Sequence, residues 1–351
     1  MKQLKYLSII ISIAVLIPVK IIAQTYDLVW SDEFEYTGLP DDSKWNYDVG
    51  GDGWGNNELQ FYTNARTQNA RVENGNLIIE AHKESYGGNN YTSARLITKN
   101  KGDWLYGKID VRAKLPGGTG SWPAVWMLPT DWAYGGWPAS GEIDIMEYVG
   151  YDKGVVHGTV HTEAYNHMLN TQKGSQIIVA DAEDAFHIYS MEWSETKIYI
   201  FVDNIKYFTF YAQGDYKTWP FDQRFHLLLN IAVGGNWGGV NGVDDNIFPI
   251  RMEVDYVRVY QDKTLSLKPL ENTLSIDIFP NPSKDMIFVK TTKEFSQVDF
   301  YSLSGKRIKT YYNGLNKSAE INISTLQQGV YLLKLRTDKA EIIGQTKFIK
   351  K

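Results

Sequence analysis

Three carboxylates fall within six residues, Glu142, Asp144 and Glu147, in the run Gly141-Glu142-Ile143-Asp144-Ile145-Met146-Glu147-Tyr148-Val149-Gly150. Like charges this close raise at least one pKa. One carboxyl kept protonated beside one kept ionised is what cleavage of a glycosidic bond requires. The interleaved Ile and Tyr favour a strand. Alternation then puts Glu142 and Asp144 on one face and Ile143 and Ile145 on the other. Glu147 breaks that parity, and a β-bulge near Met146 would return it to the acidic face. The spacing alone fits equally an amphipathic strand with a solvated acidic face, so the surroundings must decide.

Those surroundings are aromatic and amide-rich. Trp54-Gly55-Asn56-Asn57-Glu58-Leu59-Gln60-Phe61-Tyr62, Ser121-Trp122-Pro123-Ala124-Val125-Trp126, Trp137-Pro138 and Gly234-Gly235-Asn236-Trp237-Gly238-Gly239 all read as segments beside turns. Burial is the common fate of a tryptophan. Trp54 and Trp237 differ, because glycines flank them and Gly-rich loops are rarely core. Exposed loop aromatics suit stacking against sugar rings, with Asn, Gln and Glu bonding the hydroxyls. His157 and His161 share a strand face at i, i+4. A metal pair is the alternative there, but no third-ligand pattern accompanies them.

The elements that position these residues are short strands. Residues 76–81, 106–113, 198–202 and 252–260 are strand-like runs between turn signals, and helical periodicity is almost absent. That predicts an all-β sandwich, and more than 200 residues in one unit predicts two large sheets. The chain has 351 residues and no cysteine. Residues 1–24 carry Lys2 and Lys5, then an apolar run from Leu7 to Leu16, interrupted by Pro18 and Lys20. This reads as a secretory signal rather than a membrane span. A secreted chain without disulfides needs a large core, with a bound ion as a further support. All 11 Trp lie between Trp30 and Trp237. Residues 262–351 carry a net +6, and residues 25–261 carry −14. The chain therefore divides near residues 262–275, and the acidic first part argues against nucleic acid and anionic membranes.

Residues 25–261 resemble glycoside hydrolase family 16, in its laminarinase-like endo-β-1,3-glucanase branch. The resemblance is carried in order by Trp30-Ser31-Asp32-Glu33-Phe34, the Trp54 to Gln60 segment, Ser93-Ala94-Arg95-Leu96, Trp122 to Pro129, Gly141 to Glu147, His157 to His161, Gly234 to Gly239 and Val254 to Tyr260. It implies a β-jelly roll, a concanavalin A-like sandwich, with a cleft across its concave face. It implies Glu142 as nucleophile and Glu147 as general acid/base, with Asp144 between them on the same face. The extra residue before Glu147 belongs to the laminarinase-like form. Trp122, Trp126 and Trp137 are then expected to line the cleft, Asn56, Glu58 and Arg95 to make polar contacts, His161 to face the site, and Trp237 to contact the sugar. No cofactor is expected for catalysis. A structural calcium is expected at Glu33, the Gly75 carbonyl and Asp255, since hard oxygens suit that ion; ordinary surface charges are the other reading of Glu33 and Asp255. Mixed-linkage β-1,3-1,4-glucan is the nearest rival substrate. Agar- or carrageenan-type sulfated substrates would want a basic cleft, which the −14 disfavours. A non-catalytic β-glucan receptor would lack the glutamates.

Residues 276–351 resemble the C-terminal sorting domain of type IX (Por) secretion. Phe279-Pro280-Asn281-Pro282-Ser283, Val298 to Lys306 and Leu326 to Leu335 carry that resemblance. Alternation in these runs predicts a small antiparallel β-sandwich of about seven short strands. A carbohydrate-binding module is disfavoured by the missing Trp. The expected layout is a signal peptide at 1–24, a catalytic domain at 25–261, a linker at 262–275 and a sorting domain at 276–351. The expected product is a monomer, secreted or held at the cell surface, reaching it through the periplasm and the type IX machinery.

Overall fold

The computed structural model describes residues 26–262, 276–302, 307–338 and 342–351. The expected signal peptide and nearly all of the expected linker lie outside these. Among the described residues the only helices are two 3-10 turns, His167–Leu169 and Asp245–Ile247, as the all-β expectation requires.

Two large sheets build the first part. The eight-stranded sheet runs in space Lys173–Ile178, Val155–His161, Glu142–Tyr148, Ser121–Pro129, Phe225–Val233, Arg95–Ile97, Asn46–Asp48, with Asp103–Trp104 also paired to Phe225–Val233. The ten-stranded sheet runs Ile205–Tyr211, Lys197–Val202, His187–Trp193, Gly107–Lys114, Ile250–Asp262, Asn76–Tyr86, Asn89–Ser93, Gln60–Tyr62, with Tyr26–Asp32 and Ala70–Glu73 attached at its side. Alternation sorts most of the outer strands between core and surface. In Lys197–Val202, for example, Ile198, Ile200 and Val202 are buried while Lys197, Tyr199 and Phe201 are partly exposed. One continuous core results, and it includes Leu77, Ile79, Val111, Ile143, Ile145, Tyr189, Leu227, Leu229 and Val257. With no cysteine to staple the chain, this burial is the main favourable contribution, at about 25 cal/mol per Å² of apolar surface removed from water.

The C-terminal region has its own core, around Ile287, Val289, Phe300, Leu333 and Phe348. It has five described strands rather than about seven, because Met286–Ser302 and Arg307–Asn322 are long. Their pairing slips at Lys290/Phe295, Phe295/Gln297 and Phe300/Tyr301, so turn-like sequence signals fall at irregularities inside strands.

Candidate active site

The Glu142–Tyr148 strand lies between Ser121–Pro129 and Val155–His161. Ile143 pairs with Val160, and both are fully buried in the core between the sheets. Glu142 opposite His161, and Asp144 opposite Thr159, therefore point to the open face. Three residues then carry the strand from Asp144 to Glu147 while its partner advances two, from Thr159 to His157. That slip is the expected bulge, with Ile145 and Met146 both buried beneath it. It returns Glu147 to the acidic face, opposite His157. Gly158 sits at the bulge because a Cβ there would lie 2.6 Å from the Tyr207 hydroxyl.

Each glutamate receives an indole N–H. Trp137 Nε1 donates to Glu142 Oε2 at 2.9 Å, and Trp122 Nε1 donates to Glu147 Oε1 at 3.1 Å. Asp144 is buried between them and shares a hydrogen bond with Glu142. His161 Nε2 lies 3.4 Å from Asp144 Oδ2 and 3.9 Å from Glu142 Oε1. Burial pushes all three carboxyls above their usual range. For both glutamates the Asp144 charge adds to that rise, and the indole bond opposes it. Three carboxyls this close on a largely buried face disfavour full ionisation, so the set favours keeping a proton.

Around this centre the expected site residues separate by role. Trp237 packs edge-on against Trp122 at 5.5 Å and His157 at 5.0 Å. The glycines of its loop permit this, since a Cβ on Gly238 would lie 2.8 Å from that of Trp122. Trp137 stacks with His167 at 5.0 Å. Arg95 is held between the Trp54 and Trp126 rings, 4.6 Å from each, with Asp48 Oδ2 3.0 Å from its Nε. Trp126 Nε1 donates to Asn230 Oδ1 at 2.7 Å, and Asn230 Nδ2 donates to the Tyr62 hydroxyl at 2.9 Å. Tyr62 and Gln60 in turn donate to Glu58 Oε2, and Asn56 donates to Glu58 Oε1. Burial raises the Glu58 pKa. Trp126, Arg95 and Glu58 thus belong to one polar chain that fixes their orientation before any sugar arrives.

His167 and Asn230 were not singled out for this site by their sequence context. His157 and His161 face it together, as the i, i+4 spacing implied, but each lies opposite a glutamate. Glu142, Asp144 and His161 bring potential ligand atoms within 4.8 Å of one another.

The expected calcium residues lie elsewhere. Ile250–Val254 pairs with Asn76–Tyr86, and Val257–Asp262 pairs with Tyr26–Asp32. Asp255, Glu33 and Gly75 therefore follow directly on the ends of those two pairings. The carboxylates are already engaged there: Glu33 pairs with Arg258 at 2.7 Å and Asp255 with Arg112 at 2.6 Å. With both carboxylates paired to arginines, the side chains alone do not form a cation cage.

A β-sandwich that presents paired, pKa-raised carboxyls among tryptophans on one open sheet face is a glycosidase architecture. The comparisons name the family. The chain belongs to the glycosyl hydrolases family 16, whose family model matches residues 57–258. Residues 277–351 match the secretion system C-terminal sorting domain. A β-glucanase of Rhodothermus marinus is 57% identical over 247 residues, covering 68% of this chain and 86% of the relative. A glucan endo-1,3-β-glucosidase of Cryptopygus antarcticus is 40% identical over 250 residues, covering 66% of this chain and 90% of the relative. The X-ray structure of the laminarinase from Rhodothermus marinus superposes with a TM-score of 0.67 at 57% identity, covering 68% of this chain and 98% of that one. The protein is a glycoside hydrolase with a jelly-roll fold, and its sorting domain marks it for export.

Proposed function

We propose that the protein is a retaining endo-β-1,3-glucanase in which Glu142 is the nucleophile and Glu147 the general acid/base. The observation that carries this reading is the bulge that places both glutamates on one open face, each held by its own indole N–H. A carboxylate stabilised by an N–H donor is poised to attack the anomeric carbon as positive charge develops there. Asp144 lies between the two glutamates, and its charge raises the pKa of both, which helps to keep a proton within the set. Glu147 gives its proton to the leaving oxygen and then takes one from the water that releases the glycosyl-enzyme. Trp237 and Trp137 offer ring faces or edges to the sugar, while Asn56, Glu58, Arg95, Trp126 and His161 order the site. The laminarinase and endo-1,3-β-glucosidase relatives support β-1,3-glucan as the substrate.

The export reading adds a signal peptide at 1–24, a catalytic domain at 25–261, a linker at 262–275 and a sorting domain at 276–351, with passage through the periplasm. Calcium at Glu33, Gly75 and Asp255 would serve stability alone. A melting temperature that rises with calcium and falls with chelator supports it, and an unchanged one removes it.

The substrate test compares products from laminarin, lichenan, cellulose and agarose. Internal cleavage of laminarin is expected, with cellulose untouched. Faster cleavage of lichenan would shift the assignment to mixed-linkage glucan, and faster cleavage of agarose would overturn it. Proton NMR of the first product should show the β-anomer, and an initial α-anomer would refute Glu142 as nucleophile. Glu147→Ala should lower laminarin cleavage about 10²–10⁴-fold while sparing an aryl glycoside whose phenolate leaves unprotonated.

A further inference from the structure

We infer that the substrate cleft extends past Arg95 to a separate carbohydrate subsite at the far edge of the eight-stranded sheet, built to hold a neutral β-glucan chain several sugars from the bond that is cut. This rests on the endo-glucanase reading above and names a binding site that reading does not include. A cavity of about 490 Å³ lies there, lined in part by Asn46, Asn64, Ile97, Lys99, Asn100 and Lys101. That volume falls within the range of small-molecule sites, about 300–1,000 Å³.

Register joins the cavity to the catalytic face. Trp126 pairs with Asp144 on one side and with Leu228 on the other, and Ala124 pairs with Asn230. Asn230 pairs with Arg95, and Leu228 with Ile97. Arg95 then pairs with Asp48, and Ile97 with Asn46. Asn46 and Ile97 therefore share the open face with Glu142, Trp126 and Arg95. Four strand spacings, about 19 Å, separate the catalytic strand from the Asn46–Asp48 edge. The surface between is the Trp126–Arg95–Trp54 stack, which a polysaccharide laid across the strands must cross.

The lining suits a polyol. Ile97 supplies an apolar floor at 7% exposure, and Asn64, Lys99 and Asn100 supply polar rims. Two other polar groups are already committed: Lys101 Nζ donates to the Asp42 and Trp45 carbonyls, and Asn46 Nδ2 donates to the Lys99 carbonyl. Those bonds tie the turn at 98–101 to the segment at 42–46 and hold the cavity open without a ligand. Among the described residues no side-chain hydrogen bond engages the amides of Asn64 and Asn100 or the ammonium of Lys99. Amides and an ammonium beside one apolar surface can bond hydroxyls while a sugar ring covers the Ile97 side chain.

The test uses the full exported protein with Asn64→Ala, Lys99→Ala and the occluding Asn64→Trp. Each is assayed on laminarin and on a short aryl β-1,3-oligoglucoside that reaches only the sugars next to the scissile bond. Losing one neutral hydrogen bond in Asn64→Ala should raise KM on laminarin about two- to tenfold, and losing the ammonium in Lys99→Ala should raise it at least as much. The occluding variant should do so more strongly, with kcat and the short substrate unchanged. Products of wild-type digestion should also shorten when the pocket is blocked, because long chains lose their preferred register. Unchanged KM for all three variants on laminarin would overturn the inference, as would an equal loss on both substrates, which would mean that the cleft itself had been damaged. Failure of the wild type to cut laminarin would instead refute the glucanase reading.

Discussion

The two indole donors make opposite predictions for the two limbs of the pH–rate profile. Trp137→Phe keeps an aromatic ring beside His167 and removes only the N–H that reaches Glu142 Oε2 at 2.9 Å. A hydrogen bond to a charged group contributes about 1.5–3 kcal/mol. Because it binds the ionised carboxylate, it favours that form and lowers the pKa. Removing it raises the pKa by about one to two units, at 1.36 kcal/mol per unit. Attack requires ionised Glu142, so the acid limb of kcat/KM should move to higher pH by that amount. Below that limb the rate falls about ten- to hundredfold. Trp122→Phe removes the donor to Glu147 Oε1 and raises that pKa instead. Glu147 must be protonated to act as the acid, so the basic limb should move to higher pH and the active range should widen on its alkaline side. The assay is kcat/KM from pH 4 to 10 on a soluble β-1,3-oligoglucoside for the wild type and both variants. The limbs report the coupled carboxyls as a set, so their displacement is read rather than a single residue's constant. If both variants only raise KM with both limbs unmoved, the indoles are sugar platforms and the reasoning fails.

Burial that raises the carboxyl pKa values also costs stability, and the sign is fixed. A carboxyl whose folded pKa exceeds its unfolded value lowers stability as pH rises from the unfolded pKa towards the folded one. Glu147→Gln removes one such charge and should raise the melting temperature at pH 7 by about 2–4 °C for each kcal/mol recovered, with the gain vanishing near pH 4; a lower melting temperature at pH 7 would contradict this. Gly158→Ala brings a methyl within 2.6 Å of the Tyr207 hydroxyl under the bulge. It should cut activity on short and long substrates alike and lower stability by about 1–3 kcal/mol, read by denaturant unfolding, and wild-type behaviour would mean that the bulge tolerates the shift. In the sorting domain, buried Asp299 pairs with Arg336 at 2.8 Å and accepts from Thr310 and Gln297. Asp299→Ala should destabilise that domain by about 3–5 kcal/mol and reduce secreted yield, while kcat and KM of the recovered enzyme stay at wild-type values.

The parity break between Glu142 and Glu147 shows how far sequence reaches here. Two carboxylates five residues apart cannot share a regular strand face, so either one of them is idle or the strand is irregular. Once the aromatic and amide-rich surroundings argue that both glutamates act, the spacing places the bulge near Met146, and strand alternation predicts the sandwich around it. His157 illustrates what stays hidden. Its face follows from that of His161, but its position opposite Glu147 depends on how many residues the Val155–His161 strand advances across the bulge. Asn230 is harder still, since it lies in Phe225–Val233, where every residue is buried and no alternation marks a polar face. Only the neighbouring strands show that its amide joins Trp126 to Tyr62. The surroundings of Arg95, for which the family resemblance implied a polar contact to the sugar, were hidden in the same way. A lone arginine after Ser93-Ala94 carries no sign of the two tryptophans that enclose it, which come from segments about 40 and 30 residues away on either side. Once stacked, its guanidinium has lost most of its freedom and presents a fixed edge to the open face. Under the subsite proposal, that edge is a rigid wall that a glucan chain passes on the way to the cavity beyond it.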